Sequence, residues 1–135
     1  MASIFTKIIN GEIPSTKIYE DDKCIAILDI NPMNKGHALV IPKEEHETTI
    51  DYPENLMGYL MKIANKVAQK QMEVLKSEGF NILINNKPAS GQEVPHLHIH
   101  IVPRYSSDGY SYARGFGNVK YEEGEMQEYG EKLKL

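Results

Sequence analysis

The run His96-Leu97-His98-Ile99-His100-Ile101-Val102 alternates imidazole with bulky aliphatic side chains without a break. Successive side chains of an extended strand point to opposite faces, so this spacing predicts three histidines on one face and Leu97, Ile99 and Ile101 on the other. Such a strand fits a sheet with a packed apolar layer on one side and chemistry on the other. At 135 residues the chain matches one domain around one core.

Charge and composition then narrow the partners. A formal net charge of -4, with lysines spread among acidic residues, offers no basic field to a nucleic-acid backbone or an anionic membrane. No stretch approaches the roughly 20 apolar residues of a membrane span, and the N-terminus lacks the features of a signal peptide. Cys24 is the single cysteine and lies in the apolar run Cys24-Ile25-Ala26-Ile27-Leu28, so it reads as a small buried hydrophobe in a reducing compartment. Cytoplasmic localisation is expected, with the nucleus as well in a eukaryotic cell.

Periodicity and punctuation organise the rest. Lys17 to Glu20 and Cys24 to Asp29 read as a hairpin linked at Asp21-Asp22. The turn-rich stretch Asn31-Pro32-Met33-Asn34-Lys35-Gly36 leads into a third strand from His37 to Ile41, which Pro42 ends. From Pro53 to Glu78 the period becomes helical, with Leu56, Leu60, Ile63, Val67 and Val74 on one stripe. Asp51 and Glu54 resemble a capping box, and Gly79 is placed as the left-handed stop. Phe80 to Asn85 reads as a strand whose return loop brings Asn85 and Gly91 near His98. Residues 122–135 are compatible with a short terminal helix that Gly124 and Gly130 weaken.

Three readings of the histidine face compete. His96 and His100 would lie about 13 Å apart along a regular strand, whereas zinc-bound nitrogens sit about 2.0 to 2.1 Å from the metal, so one ion cannot gather all three. Two adjacent histidines with His37 as an outside ligand could still hold a metal. The histidines could also be solvated or ordinarily hydrogen-bonded. Catalysis on an anionic substrate is the third reading and the preferred one. Near neutral pH one imidazole can be a nucleophile while its neighbour is a cation or donor. Backbone N–H groups around Gly91 and the Asn85 amide could then meet phosphoryl oxygens without a basic patch.

The segment Gly91-Gln92-Glu93-Val94-Pro95-His96-Leu97-His98-Ile99-His100-Ile101-Val102-Pro103-Arg104 resembles the signature of the histidine triad (HIT) superfamily of nucleotide hydrolases and transferases, and the likeness extends from residue 3 to about 116. It is nearest to the compact Hint-type and bacterial-type hydrolases. The resemblance implies an α+β HIT-like fold: an antiparallel sheet of about five strands, one long helix and short helical pieces. Residues 1–116 would form the HIT domain and 117–135 a C-terminal tail. A homodimer is implied, with Tyr105 to Arg114 near the partner or the site mouth.

By the same resemblance His98 is the nucleophile that takes the nucleotide α-phosphate, His96 and His37 form a polar relay that positions it, and His100 contacts phosphate oxygens or the bridging atom. Asn85, Gly91 and Gln92 would hold the phosphate chain, and Asp29 would accept from the ribose hydroxyls. Ile4, Phe5, Ile8, Ile27, Leu28 and Leu39 match an apolar purine slot, and Ile30, Glu93 and Val94 are counted with the substrate-binding positions. The implied activity is hydrolysis of a purine nucleotide conjugate, phosphoramidate or phosphoanhydride, releasing AMP or GMP without a cofactor. A dinucleoside polyphosphate hydrolase and a non-catalytic nucleotide-binding scaffold are the alternatives.

Plainer roles stand beside these. Asp29 could be a turn residue, Asn85 a loop cap, His37 an ordinary strand-start histidine, and Ile27 and Leu39 core. His46, among Lys43, Glu44, Glu45 and Glu47, reads as part of a solvated face. Two departures from the family pattern stand out. Ser3 and Thr6 occupy positions where many relatives carry a zinc-building Cys-x-x-Cys pair, so no structural metal is expected. Glu93 stands where a serine or threonine is frequent.

Overall fold

The computed structural model describes residues 2–111 and 119–135. Five strands form one antiparallel sheet: β1 (Lys17–Glu20), β2 (Cys24–Leu28), β3 (Ala38–Pro42), β4 (Gly79–Leu83) and β5 (Ile99–Arg104), in the order β1-β2-β3-β5-β4. A short helix α1 (Ile4–Ile9) precedes the sheet, α2 (Glu54–Leu75) links β3 to β4, and α3 (Glu125–Leu133) lies in the tail.

Strand alternation sorts the apolar residues into two layers. Cys24, Ala26, Ala38, Val40, Ile99 and Ile101 join Leu60, Ile63, Ala64, Val67 and Ala68 of α2 in one cluster. The small side chains of Cys24, Ala26 and Ala38 let the long helix lie close to the central strands. Ile25, Ile27, Leu39 and Ile41, the alternate residues of the same strands, pack instead with Phe5 and Ile8 of α1. Both faces of β2 and β3 are therefore covered, which explains their unbroken apolar sequences. Gln71, buried in α2, donates to the carbonyls of Gly36 and Ile101, each at 3.0 Å, and ties helix to sheet. Burial pushes the Cys24 thiol up to about 12, so it behaves as a core residue.

Several boundaries differ from the sequence expectation. The ladder of β5 begins at Ile99, because Leu97 N–H donates to the carbonyl of His46 at 2.6 Å rather than to β3. His37 lies just before β3, and the strand includes Pro42, which is paired with Cys24. Asp51 does not cap α2. Its carboxylate is taken by Thr48 N–H at 2.8 Å and the Thr48 hydroxyl at 2.6 Å, and Pro53 precedes the first helical turn without a side-chain cap. The left-handed residue that ends α2 is Lys76, with φ 58°, while Gly79 already pairs with Arg104 as the first residue of β4. Gly36 is the glycine that geometry demands: its φ is +96°, and a Cβ there would lie 2.5 Å from Leu75 Cδ1. Among the described residues no helix is long and apolar enough to cross a membrane.

The helix-to-sheet layer carries the fold, and Leu60 is fully buried at its centre. Replacing it (Leu60→Ala) is expected to cost about 2 to 5 kcal/mol, read as a lower midpoint in urea denaturation.

Candidate active site

His98, just before β5, and His100 within it share a face, and their side is the one opposite Ile99 and Ile101. Their rings lie 4.9 Å apart between centroids. Phe5 stands edge-on to His98 at 4.8 Å and to His96 at 5.8 Å, so α1 forms the apolar wall. His98 Nδ1 is 2.7 Å from the carbonyl oxygen of His96. A carbonyl only accepts, so Nδ1 carries the proton and Nε2 keeps its lone pair.

A second chain of contacts sets His100. The N–H of Met33 donates to His37 Nδ1 at 3.1 Å, which puts the His37 proton on Nε2. That nitrogen lies 3.0 Å from His100 Nδ1 and donates to it, leaving His100 with its hydrogen on Nε2. Asp29 Oδ2 is 3.6 Å from the same His37 nitrogen, and Asp29 Oδ1 accepts from Asn31 N–H at 2.9 Å. The contacts are thus distributed differently from the expected relay. His96 reaches His98 through its peptide carbonyl, and the His37 ring pairs with His100.

Burial lowers the pKa of His98, His96 and His37, and pushes His100 down to about 4 with help from the neighbouring His98 and His37 charges. Desolvation is the leading cause in each case. All four are held toward the neutral form, in place of the mixture of neutral and cationic rings expected from sequence.

The other expected positions divide. Asn85 and Gly91 are brought together: a Cβ on Gly91, whose φ is +104°, would meet Asn85 Nδ2 at 3.7 Å. The Gln92 side chain is spent on folding its loop, accepting from Lys87 N–H and donating to the Glu47 carbonyl, both at 2.7 Å. Its backbone N–H is engaged as well, donating to the Lys87 carbonyl at 3.3 Å, and Gly91 N–H donates to the Pro88 carbonyl at 2.9 Å. Glu93 is exposed, and its charge partly offsets the burial of His98. Phe5, Ile8, Ile27 and Leu39 form the apolar layer under the histidines, with Val94 packed on it. Ile4 is exposed, and Ile30 is 90% exposed at the end of β2. Leu28 contradicts its assignment to a purine slot. Strand alternation sends it to the opposite face, against the α2 cluster, where it lines an apolar groove of about 490 Å³ with Ile63, Val67 and Val74.

Asp29, His37 and His100 offer donor atoms within 4.8 Å of one another, while the nitrogens of His37 and His100 already share a hydrogen bond. Sequence reasoning missed Glu45, which had been grouped with the solvated residues around His46, and the Pro42 carbonyl, which lies 2.9 Å from His96 Nε2. No spacing rule marks either, since both meet His96 only through the fold.

Comparison with known proteins identifies the lineage. The family model described as HIT domain matches residues 10–107. The chain belongs to the HIT family. An uncharacterised HIT-like protein of Methanocaldococcus jannaschii is 48% identical over 120 residues, covering 87% of this chain and 88% of that one. The adenosine 5′-monophosphoramidase of Saccharomyces cerevisiae is 41% identical over 103 residues, 76% of this chain and 63% of its own length. Among solved structures, a HIT family member from Bacillus subtilis superposes with a TM-score of 0.82 at 36% identity, covering 98% of this chain and 95% of that one. At family level this HIT chain is a relative of nucleotide hydrolases.

The depressed imidazoles carry a pH signature. An unfolded histidine binds its proton near the ordinary value of 6.5, whereas folded His100 does so only near about 4. The unfolded chain therefore binds more protons in that window, and stability falls as pH drops through it. Urea midpoints measured from pH 7 to pH 4 should decline, with a shallower slope in His100→Asn.

Proposed function

We propose that this HIT protein is a purine nucleoside phosphoramidase, or nucleotidyl hydrolase, working by double displacement through His98. The observation that carries the reading is the hydrogen bond from His98 Nδ1 to the His96 carbonyl at 2.7 Å. It leaves a neutral, oriented Nε2 lone pair on a ring that stands beside His100.

In the first displacement His98 Nε2 attacks the α-phosphorus, a nitrogen–phosphorus bond forms, and the bond from phosphorus to the leaving group breaks. His100, with its hydrogen on Nε2, donates to a phosphate oxygen or to the departing atom. Negative charge developing on the phosphoryl oxygens is met by the Asn85 amide and the backbone N–H groups of Glu93 and Val94, since those of Ser90, Gly91 and Gln92 donate within their own loop. A bound anion favours the protonated form of adjacent imidazoles, so the substrate itself supplies the charge that burial withholds from the free protein. In the second displacement water attacks the same phosphorus and its proton replaces the one His100 gave to the departing atom, the nitrogen–phosphorus bond breaks, and AMP or GMP leaves with His98 restored. Asp29 accepts from the ribose hydroxyls, and Phe5, Ile8, Ile27 and Leu39 offer the apolar bed for the base. The phosphoramidase activity named for the yeast relative supports this substrate class. A homodimer accords with the family, although part of the Tyr105 to Arg114 segment expected near the partner lies outside the described residues.

The decisive experiment uses adenosine 5′-phosphoramidate. Wild-type protein quenched in alkaline denaturant during turnover, where a nitrogen–phosphorus bond survives, should carry AMP on His98, and His98→Ala should lose at least about a thousandfold in kcat. Full activity in His98→Ala would sink the assignment. Asp29→Ala should act mainly on KM, raising it about tenfold or more, because it removes hydrogen bonds to a charged acceptor present in both ground and transition states.

A further inference from the structure

At the start of α1, side chains from three separate parts of the chain meet around one imidazole. Glu45, which follows β3, accepts at Oε1 from Ser3 N–H at 2.8 Å and from the Thr6 hydroxyl at 2.6 Å. Ser3 Oγ accepts from Thr6 N–H at 3.0 Å and lies 2.7 Å from His96 Nδ1. The His96 ring is fully buried.

Counting protons leaves one consistent assignment for neutral His96. The Pro42 carbonyl can only accept, so His96 Nε2 carries the hydrogen at 2.9 Å. Its bare Nδ1 then accepts from the Ser3 hydroxyl, while the Thr6 proton is committed to Glu45. These donors hold the Glu45 carboxyl down at about 2, so it is ionised across the working pH range.

Many HIT relatives build a zinc site at this place, and the residues here do not fit one. Structural zinc is held by thiolates and imidazoles, whereas this cluster offers two hydroxyls already engaged with their neighbours. The hydrogen-bonded clasp replaces metal ligation as the link between α1 and His96.

We propose that Glu45 is a positioning residue for His98, ordering the Ser3 and Thr6 hydroxyls that pin the His96 ring and, through the His96 carbonyl, aiming the His98 nucleophile. Two routes converge on that ring. The peptide carbonyl of the pinned His96 fixes Nδ1 of His98, and α1, anchored at Ser3 and Thr6, presses Phe5 against the His98 ring edge-on at 4.8 Å. Removing Glu45 releases both references while leaving the Asp29 and Asn85–Gly91 contacts in place. The inference rests on His98 being the nucleophile.

The test compares Glu45→Ala, Glu45→Gln and His98→Ala on adenosine 5′-phosphoramidate, with a thermal melt of each. Glu45→Ala should lower kcat about tenfold and keep KM within about twofold, as expected when a nucleophile is slightly misaimed but substrate still binds. Glu45→Gln, whose amide oxygen can still accept from Ser3 and Thr6, should recover at least about half of the lost kcat. If Glu45→Ala does not fold, Ser3→Ala carries the same expectation. A kcat within about twofold of wild type in Glu45→Ala, or no recovery in Glu45→Gln, would overturn the proposal. Retained activity in His98→Ala would instead overturn the nucleophile reading beneath it. An inactive His98→Ala beside a fully active Glu45→Ala would remove this inference alone.

Discussion

The hydrogen bond between the His98 ring and the carbonyl two residues before it converts a stretch of backbone into a chemical instruction. Peptide carbonyls cannot donate, so in the neutral ring the proton stays on Nδ1 and the lone pair on Nε2. A side-chain partner could titrate or rotate, and a buried backbone group does neither. Every other feature of the site serves that ring: Phe5 limits its tilt, His100 stands beside it as a donor, and the fully buried His96 holds the carbonyl in place.

Burial is what makes these imidazoles usable as neutral groups. Phe5 of α1 covers His96 and His98, and for His37 and His98 desolvation outweighs the attraction of Asp29 and, at His98, of Glu93. A free protein with neutral histidines has little charge to hold an anion, which accords with a formal net charge of -4. The proposed phosphate-binding groups are dipoles, namely the Asn85 amide and the N–H groups of Glu93 and Val94, and dipoles on a fixed scaffold need no reorganisation when charge develops. The Met33–His37–His100 chain does comparable work for the donor, since one backbone N–H at its end decides which nitrogen of His100 carries hydrogen.

Much of this was legible in the residues. The helical stripe of Leu60, Ile63 and Val67, the five strands and the opposition of histidine and aliphatic faces follow from periods of 3.6 and 2, which local geometry imposes on any chain. Leu28 shows the limit of resemblance, because alternation alone would have sent it to the face opposite Ile27. Asp51 and Gly79 show another: both carry strong local signals for a helix end, yet Asp51 was claimed by Thr48 and Gly79 by the β4 ladder. Tertiary partners compete for the same polar groups and win where they satisfy more of them.

Side-chain spacing therefore determined the strands and the long helix, the face on which chemistry stands and the three histidines on offer. Proton placement on each ring, the diversion of Gln92 into its own loop and the meeting of Ser3, Thr6 and Glu45 at His96 came from contacts between residues up to 93 positions apart. Hydrogen-bond roles depend on distances of a few tenths of an ångström between groups remote in the chain, and no local pattern encodes such distances.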